Sequence, residues 1–126
     1  DHRDLHSFPT RRSSDLIGLD LSTDEYCVSI CAKDSSGPYD YALTNQLIDI
    51  AKANKIKYAV DIYPFYGSDA SAALHGGHDL RAGLIGPGVQ ASHSMERTHR
   101  DAIEATSKLL VEYLKESKSV LNDYLT

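Results

Sequence analysis

The side chains best suited to chemistry in this sequence lie in one loop, residues 86–99, which reads GPGVQASHSMERTH. Its His93 follows a Gly-Pro-Gly turn at the end of a predicted strand, where ligands of open α/β sheets bind. An imidazole there can bind a metal ion or act as a general base. Zinc, however, takes three or four protein ligands, and one histidine does not make such a site. The residues alone therefore leave His93 as either a functional ligand or an ordinary polar loop residue.

A second segment, GSDA at 67–70, falls where a predicted strand gives way to a helix. Backbone N–H groups at a helix start favour anions, but Ser68 or Asp69 can equally serve as a plain helix cap. His75 and His78 flank two glycines that end this helix, and we expect both at the surface because no third ligand lies close in sequence. The sequence has no P-loop, dinucleotide-binding glycine motif, serine nucleophile elbow or HExxH motif.

The elements that must position these residues belong to a chain of ordinary globular composition, with 126 residues, 41% hydrophobic and 25% charged. A net charge of −5 without a basic run argues against nucleic acid as a partner. The longest apolar stretches are too short to span a membrane, so we expect no membrane partner.

Cys27 and Cys31 alternate along a predicted strand about 13 Å apart, which is too far for a disulfide. Two reduced cysteines predict a cytoplasmic protein.

Hydrophobic periodicity predicts strands that alternate with helices. The predicted elements are, in chain order, strand 25–32, helix 41–54, strand 56–63, a short helix from Ser68 or Asp69 to Leu74, strand 80–86, and a long helix that opens with a capping box of Thr98 and Asp101. The core-facing residues expected on the long helix are Ala102, Ile103, Ala105, Thr106, Leu109, Leu110, Tyr113 and Leu114. The segment DSSGPYD at 34–40 is expected to form a capped turn. The alternative is a loop that lines a cleft after the strand.

This alternation predicts an α/β fold, an incomplete α/β/α sandwich whose mostly parallel sheet is covered by helices. Three strands leave both edges of such a sheet open unless other strands cover them. We therefore expect residues 17–126 to be part of one larger domain.

Residues 1–16, DHRDLHSFPTRRSSDL, follow neither a helical nor a strand period. They resemble the translation of a common short-read sequencing adaptor, one frame of which spells residues 1–15 and opens a leucine codon. We expect this segment to be non-native and without a role in the fold. The alternative is a disordered natural arm.

Four segments occur in a fixed order along residues 17–126, namely VSICAKDSSGPYDY at 28–41, GSDASAAL at 67–74, IGPGVQASHSMERTH at 85–99 and AIEATSKLLVEYL at 102–114. In this order they resemble the C-terminal part of the catalytic domain of the tetrahedral, or glutamyl and deblocking, aminopeptidases. The resemblance implies a cytosolic metallopeptidase with two divalent metal ions, zinc or cobalt, a peptide substrate and a homo-oligomeric parent protein.

The same resemblance implies roles for individual residues. His93 falls on the family's metal-binding histidine, and Ser68 and Asp69 carry over as pocket or scaffold residues. Apart from the family motif, we expect Ser92, Ser94 and Glu96 to support this metal ligand. The alternative for Glu96 is a surface ion pair with Arg97. The family's other ligands and its general base precede the matched region, so this chain is assigned no catalytic residue.

These expectations describe a C-terminal fragment of an aminopeptidase in which a metal-activated water releases N-terminal residues from peptides. The fragment itself is expected to be inactive, because most of the ligands lie outside it. The alternative is a small non-catalytic α/β module that binds an anion or a partner at the helix start beside Ser68.

Long-read sequencing of the source DNA across the codon for Ile17 tests the origin of residues 1–16. We expect the natural reading frame upstream of Ile17 to encode the family's histidine, aspartate and glutamate ligand motifs in place of this segment. If DHRDLHSF proves to be the genomic start of an authentic gene, the enzyme interpretation fails for this chain and the binding module becomes the leading hypothesis.

Overall fold

The computed structural model describes residues 24–90, 95 and 97–125, with side chains described for 24–89, 95 and 97–117. The described strands are β1 (Val28–Asp34), β2 (Gly37–Pro38), β3 (Tyr58–Tyr63), β4 (Leu84–Pro87), β5 (Val89–Gln90) and β6 (Arg97–Thr98). The described helices are α1 (Tyr41–Ala53), α2 (Asp69–His75) and α3 (Arg100–Leu125). The predicted α/β class is confirmed, and the predicted segment 1–16 lies outside the described residues.

Strand β1 is the centre of the main sheet. Along one edge it pairs in parallel with β3, from Val28 opposite Tyr58 to Asp34 opposite Tyr63. Along its other edge it pairs antiparallel with β4 over its first half and with the short β2 at its end. The sheet is therefore mixed rather than mostly parallel, since two of these three pairings are antiparallel.

The direction of β4 follows from where the chain travels after β3. Helix α2 stays at the carboxyl end of β1, because the Ser71 hydroxyl donates to the Asp34 carboxylate at 2.9 Å. The next loop stays there too, with the Asp40 N–H donating to the Ala82 carbonyl at 3.0 Å. No helix carries the chain back along the sheet between β3 and β4, as α1 does between β1 and β3. Strand β4 therefore enters from the carboxyl end of β1 and runs in the opposite direction.

Both faces of β1 are buried. Val28 and Ile30 pack into a core with Leu47, Ile50 and Leu109 from the two long helices. On the opposite face Cys31 packs into a second cluster, with Tyr39, Tyr63 and Ala82. The alternation of the strand thus places Val28 and Ile30 on one face and Cys31 on the other.

The two cysteines have free thiols, as their spacing predicts. Burial is the main cause that raises the pKa of Cys27 to about 11, and the same is true of Cys31. Both thiols therefore stay protonated near neutral pH and act as small apolar side chains in the core.

The caps of α1 and α2 follow the sequence. The Asp40 carboxylate accepts the Leu43 N–H at 2.7 Å at the start of α1. Ser68 caps α2, which ends at the predicted glycines. Gly77 has φ of 87°, a left-handed conformation that favours glycine after a helix.

The start of α3 differs from the predicted capping box. The Asp101 N–H donates to the ring Nδ1 of His99 at 3.1 Å, so His99 supplies the cap. The Thr98 hydroxyl instead donates to the Gly88 carbonyl. Thr98 belongs to β6 and pairs with Val89. Thr98 is therefore part of a β-hairpin and does not cap the helix.

The expected core face of α3 is only partly correct. Ala102 and Leu109 are fully buried. Ile103, Leu110 and Leu114 are 50%, 47% and 55% exposed. The described α1, β1 and β4 cover a single side of α3, which leaves these three side chains half uncovered. Within the described part of the chain, no helix combines the length and the apolar character that crossing a bilayer requires.

The two leucine environments on α3 give a matched stability test. Leu109→Ala should lower the free energy of unfolding by about 2–5 kcal/mol, because it leaves a cavity against β1 and α1. Leu114→Ala on the exposed side should change it by only about 0.5 kcal/mol. Urea unfolding of the 126-residue chain measures both, and similar losses for the two variants would contradict the described packing of α3.

Candidate functional site

The carboxyl end of β4 leads directly into a small hairpin of β5 and β6. Gly88 connects the two parts, since its N–H donates to the Cys27 carbonyl at 3.4 Å and its carbonyl accepts the Thr98 hydroxyl. Val89 pairs with Thr98 and Gln90 with Arg97. Residues 91–96, which belong to the loop predicted from the sequence, connect these two paired strands.

The predicted metal ligand His93 lies in that loop, outside the described residues. The same holds for the groups expected around it, which are Ser92, Ser94 and Glu96. Met95, the described residue of the loop, is 90% exposed. The roles assigned to these four polar residues stay predictions.

The base of the hairpin sits at the amino end of β1. There the rings of Tyr26 and His99 lie 4.7 Å apart, and the Lys57 ammonium lies 5.4 Å from the centre of the Tyr26 ring. Lys57 also pairs with Asp24 at 3.2 Å. A cleft of about 220 Å³ opens beside these contacts, lined by Glu25, Arg97, Thr98 and His99. These contacts fix the start and end of the His93 loop relative to the sheet.

A different polar cluster occupies the carboxyl end of β1. The Asp34 carboxylate is almost completely buried and accepts the Tyr39 hydroxyl at 2.5 Å, the Ser71 hydroxyl at 2.9 Å and the Ser36 N–H at 2.8 Å. Burial alone would raise the pKa of Asp34, but these donors outweigh it and hold the pKa below the ordinary 3.8. Burial and the bond to Asp34 raise the pKa of Tyr39. Asp34 is therefore a fixed anion with its oxygens in use, which suits a structural role better than that of a base.

Ser68 belongs to this cluster. Its hydroxyl lies 2.8 Å from the Tyr39 hydroxyl and accepts the Ser71 N–H at 3.2 Å. Asp69 is exposed in the first turn of α2. The described contacts give Ser68 a scaffold function, and a place for Ser68 or Asp69 in a substrate pocket stays a prediction.

The buried position of Asp34 was not predicted from the sequence, which indicates only a capped turn there. A strict alternation from Val28 and Ile30 would place Asp34 on their face of the sheet. The pairing of β1 with β3 shifts by one residue between Cys31 and Lys33, and this bulge turns Asp34 to the other face, opposite Tyr63. No turn residue in the sequence marks the bulge.

The candidate residues thus divide between the two ends of β1. Seven residues of strand place Ser68 about 20 Å from the base of the His93 hairpin. His75 and His78 are exposed, as expected. Among the side chains that the structure describes, no three histidine, cysteine, aspartate or glutamate residues group closely enough to hold a metal ion.

The sequence of this chain matches a known protein family. A model of the M42 glutamyl aminopeptidases matches residues 18–109. This chain belongs to the M42 family. The match begins after residues 1–16, and it includes both the Ser68 cap and the His93 loop.

A curated relative extends this assignment. Over 99 residues the chain is 56% identical to "Putative aminopeptidase YhfE" of Bacillus subtilis (strain 168), a match that covers 79% of this chain and 29% of YhfE. The chain thus spans less than a third of the length of YhfE.

Two solved structures share the fold. One is PhTET1-12s, solved as a dodecamer in the asymmetric unit, with a TM-score of 0.63, 23% identity and coverage of 78% of this chain and 28% of that chain. The other is the TET aminopeptidase of the marine sediment archaeon Thaumarchaeota archaeon SCGC AB-539-E09, with a TM-score of 0.61, 18% identity and coverage of 75% and 26%. At these identities the similarity concerns the fold alone. The M42 chain has the same α/β fold as one part of each of these two structures.

The buried Asp34 makes a specific prediction about stability and pH. Because its pKa in the folded state lies below 3.8, Asp34 stabilises the fold fully above about that pH and loses this contribution as the pH falls through the folded pKa. Asp34→Asn should therefore lower the free energy of unfolding by about 1–3 kcal/mol near neutral pH, since buried donors lose an acceptor. It should also make the loss of stability in acid less steep.

Urea unfolding of the 126-residue chain between about pH 7 and pH 2.5 measures both effects. Asp49→Asn is the control, because Asp49 is exposed on α1. An Asp34→Asn variant with the stability and acid dependence of the unchanged chain would show that the carboxylate does not hold this end of β1 together.

Proposed function

We propose that this chain is the C-terminal part of the catalytic domain of a metal-dependent aminopeptidase, whose complete form releases N-terminal residues from peptides. The observation that carries the proposal is the 56% identity to YhfE over 79% of the chain. The M42 match over residues 18–109 supports the same conclusion.

The proposed enzyme requires metal ions, and this chain supplies only part of the ligand set. The resemblance implies two divalent ions, zinc or cobalt, but the described residues do not fit such a pair, since they include no group of three candidate ligands. Within the proposal, His93 supplies one imidazole ligand. The remaining ligands and the general base come from the longer protein.

The geometry of the hairpin supports a positioning function for the His93 loop. The loop is closed by two residue pairs, and the Thr98 hydroxyl ties its base to Gly88. A ligand on a loop held at both ends keeps its direction better than one on an open connection, because less conformational freedom is lost when the metal binds. We assign Ser92, Ser94 and Glu96 to the hydrogen bonds that orient this imidazole.

Further aspects of the proposal concern the complete protein. We expect it to act on peptides in the cytoplasm and to form a homo-oligomer, in keeping with the dodecameric PhTET1-12s that shares the fold. The 126-residue chain should bind metal weakly and hydrolyse nothing, because one imidazole holds a divalent ion poorly.

The competing anion-binding module has less support. The N-terminus of α2 is already capped by the Ser68 hydroxyl, and α2 is only seven residues long. Asp69 adds a carboxylate to its first turn, which opposes the binding of a second anion there. The helix start that would carry this alternative function is therefore occupied by the protein's own side chains.

A chimera tests the proposed function. The 99-residue matching segment of YhfE is replaced by that of this chain, and release of N-terminal residues from short peptides is assayed with added Zn²⁺ or Co²⁺. We expect an active chimera, a loss of at least about 100-fold for His93→Ala, and no metal-dependent rate from the 126-residue chain.

The matched control is His78→Ala, which removes an exposed imidazole and should leave the rate of the chimera unchanged. With YhfE active under the same conditions, an inactive chimera would count against the assignment. An active chimera that tolerates His93→Ala would remove His93 from the metal site, and turnover by the 126-residue chain would refute its expected inactivity.

A further inference from the structure

A cleft of about 520 Å³ opens between the loop that follows α1 and the first turns of α3. Tyr26 and Ile56 contribute apolar surface to its lining. The charged residues that line it are Lys55, Lys57, Asp101, Glu104 and Lys108. The cleft thus combines apolar surface with charges of both signs, and we call it the lysine cleft.

One end of the lysine cleft is basic. The Lys108 side chain reaches the end of α1, where its ammonium donates to the Asn54 carbonyl at 3.3 Å. Lys55 directly follows Asn54, so both lysines belong to this end. Among the residues that the structure describes, no carboxylate pairs with either lysine. Two positive charges are therefore available here to a ligand.

The backbone of Lys55 gives a second indication of function. Its φ of 55° is left-handed, a conformation in which glycine is favoured after a helix. Two hydrogen bonds fix this turn, from the Lys55 N–H to the Lys52 carbonyl at 3.3 Å and from the Ile56 N–H to the Ala51 carbonyl at 2.9 Å. The carbonyls at the end of α1 also attract cations, but Lys52 and Lys108 already meet that need. A lysine kept at a strained position indicates a function for its ammonium.

The other end of the lysine cleft is acidic. Asp101 and Glu104 lie in the first turns of α3. The cations near this end are already paired, since Arg100 binds Glu104 at 2.6 Å and Lys57 binds Asp24 at 3.2 Å. No described lysine or arginine pairs with Asp101. The Asp101 carboxylate is therefore available to a positively charged group.

The distance between the two ends defines the ligand. Seven residues of α3 separate Asp101 from Lys108, which is about 10 Å along the helix axis. An extended tripeptide spans about the same length, roughly 10 Å, between its terminal ammonium and its terminal carboxylate. A phosphate ion or a free amino acid is too short to reach both ends. The apolar surface of Tyr26 and Ile56 suits the side chains of such a peptide.

We propose that the lysine cleft binds short peptides with free termini, the carboxylate at Lys55 and Lys108 and the ammonium at Asp101. The inference goes beyond the proposed function, because every group it uses belongs to this chain and no metal ion takes part. Ion pairs at an exposed surface contribute little each. We therefore expect a dissociation constant on the order of 1 mM that rises with added salt.

Nuclear magnetic resonance titration of the 126-residue chain tests the proposal, with trialanine as the ligand and a chelator present. Shifts should concentrate at the backbone amides of Lys55 and Ala105. N-acetyltrialanine lacks the ammonium and trialanine amide lacks the carboxylate, so each should bind at least about threefold more weakly than trialanine.

Two substitutions separate the ends of the cleft. Lys55→Gln should weaken trialanine and N-acetyltrialanine by about threefold and leave trialanine amide unchanged. Asp101→Asn should weaken trialanine and trialanine amide and leave N-acetyltrialanine unchanged. Lys115→Gln is the matched control, because Lys115 is exposed on α3 and pairs with Glu112 outside the cleft. It should change none of the three affinities.

The remaining outcomes contradict the proposal. No shift in the lysine cleft at about 20 mM trialanine, well above the expected dissociation constant, would refute it. Inorganic phosphate that binds as tightly as trialanine would make the cleft a simple anion site. Blocked peptides that bind as well as trialanine would show that the termini are not recognised. Because the titration needs neither metal nor turnover, its failure leaves the aminopeptidase assignment intact, and an inactive YhfE chimera leaves the cleft proposal intact.

Discussion

The burial of β1 on both faces is the constraint on which the other elements depend. Val28 and Ile30 need apolar cover on one side, and Cys31 needs it on the other. A strand buried in this way also needs a neighbour along each edge, because its backbone groups have no access to water. The long helices, the parallel β3 and the antiparallel β4 are the elements that meet these needs.

This arrangement separates two kinds of polar chemistry along one strand. At the carboxyl end, hydrogen bonds between Asp34 and its donors hold the loops and α2 together. Both oxygens of the Asp34 carboxylate accept hydrogen bonds there. At the amino end, the antiparallel β4 delivers the chain into the hairpin that bears His93. The direction of β4 therefore decides that the His93 loop starts at the opposite end of β1 from the Ser68 cap.

Local signals in the sequence predicted the local structure well. The apolar spacing of α1 and the Ser68 and Gly77 signals of α2 each depend on a few neighbouring residues, and the structure has them in place. The direction of β4, the bulge that turns Asp34 inward and the use of Thr98 in a hairpin depend on contacts between distant segments. Periodicity contains no information about these, so they were missed. The position of His93 after a predicted strand end marked it as a candidate ligand, but its assignment to a metal site came from a family motif and stays a prediction.

Gly88 joins the sheet and the hairpin through a single residue. Its N–H is committed to β1 and its carbonyl to β6, and it is itself buried. A displacement of the hairpin away from the sheet must therefore also break the hydrogen bond between Gly88 and Cys27, beside the amino end of β1. The paired base of the hairpin therefore shares the local stability of the sheet edge to which Gly88 ties it.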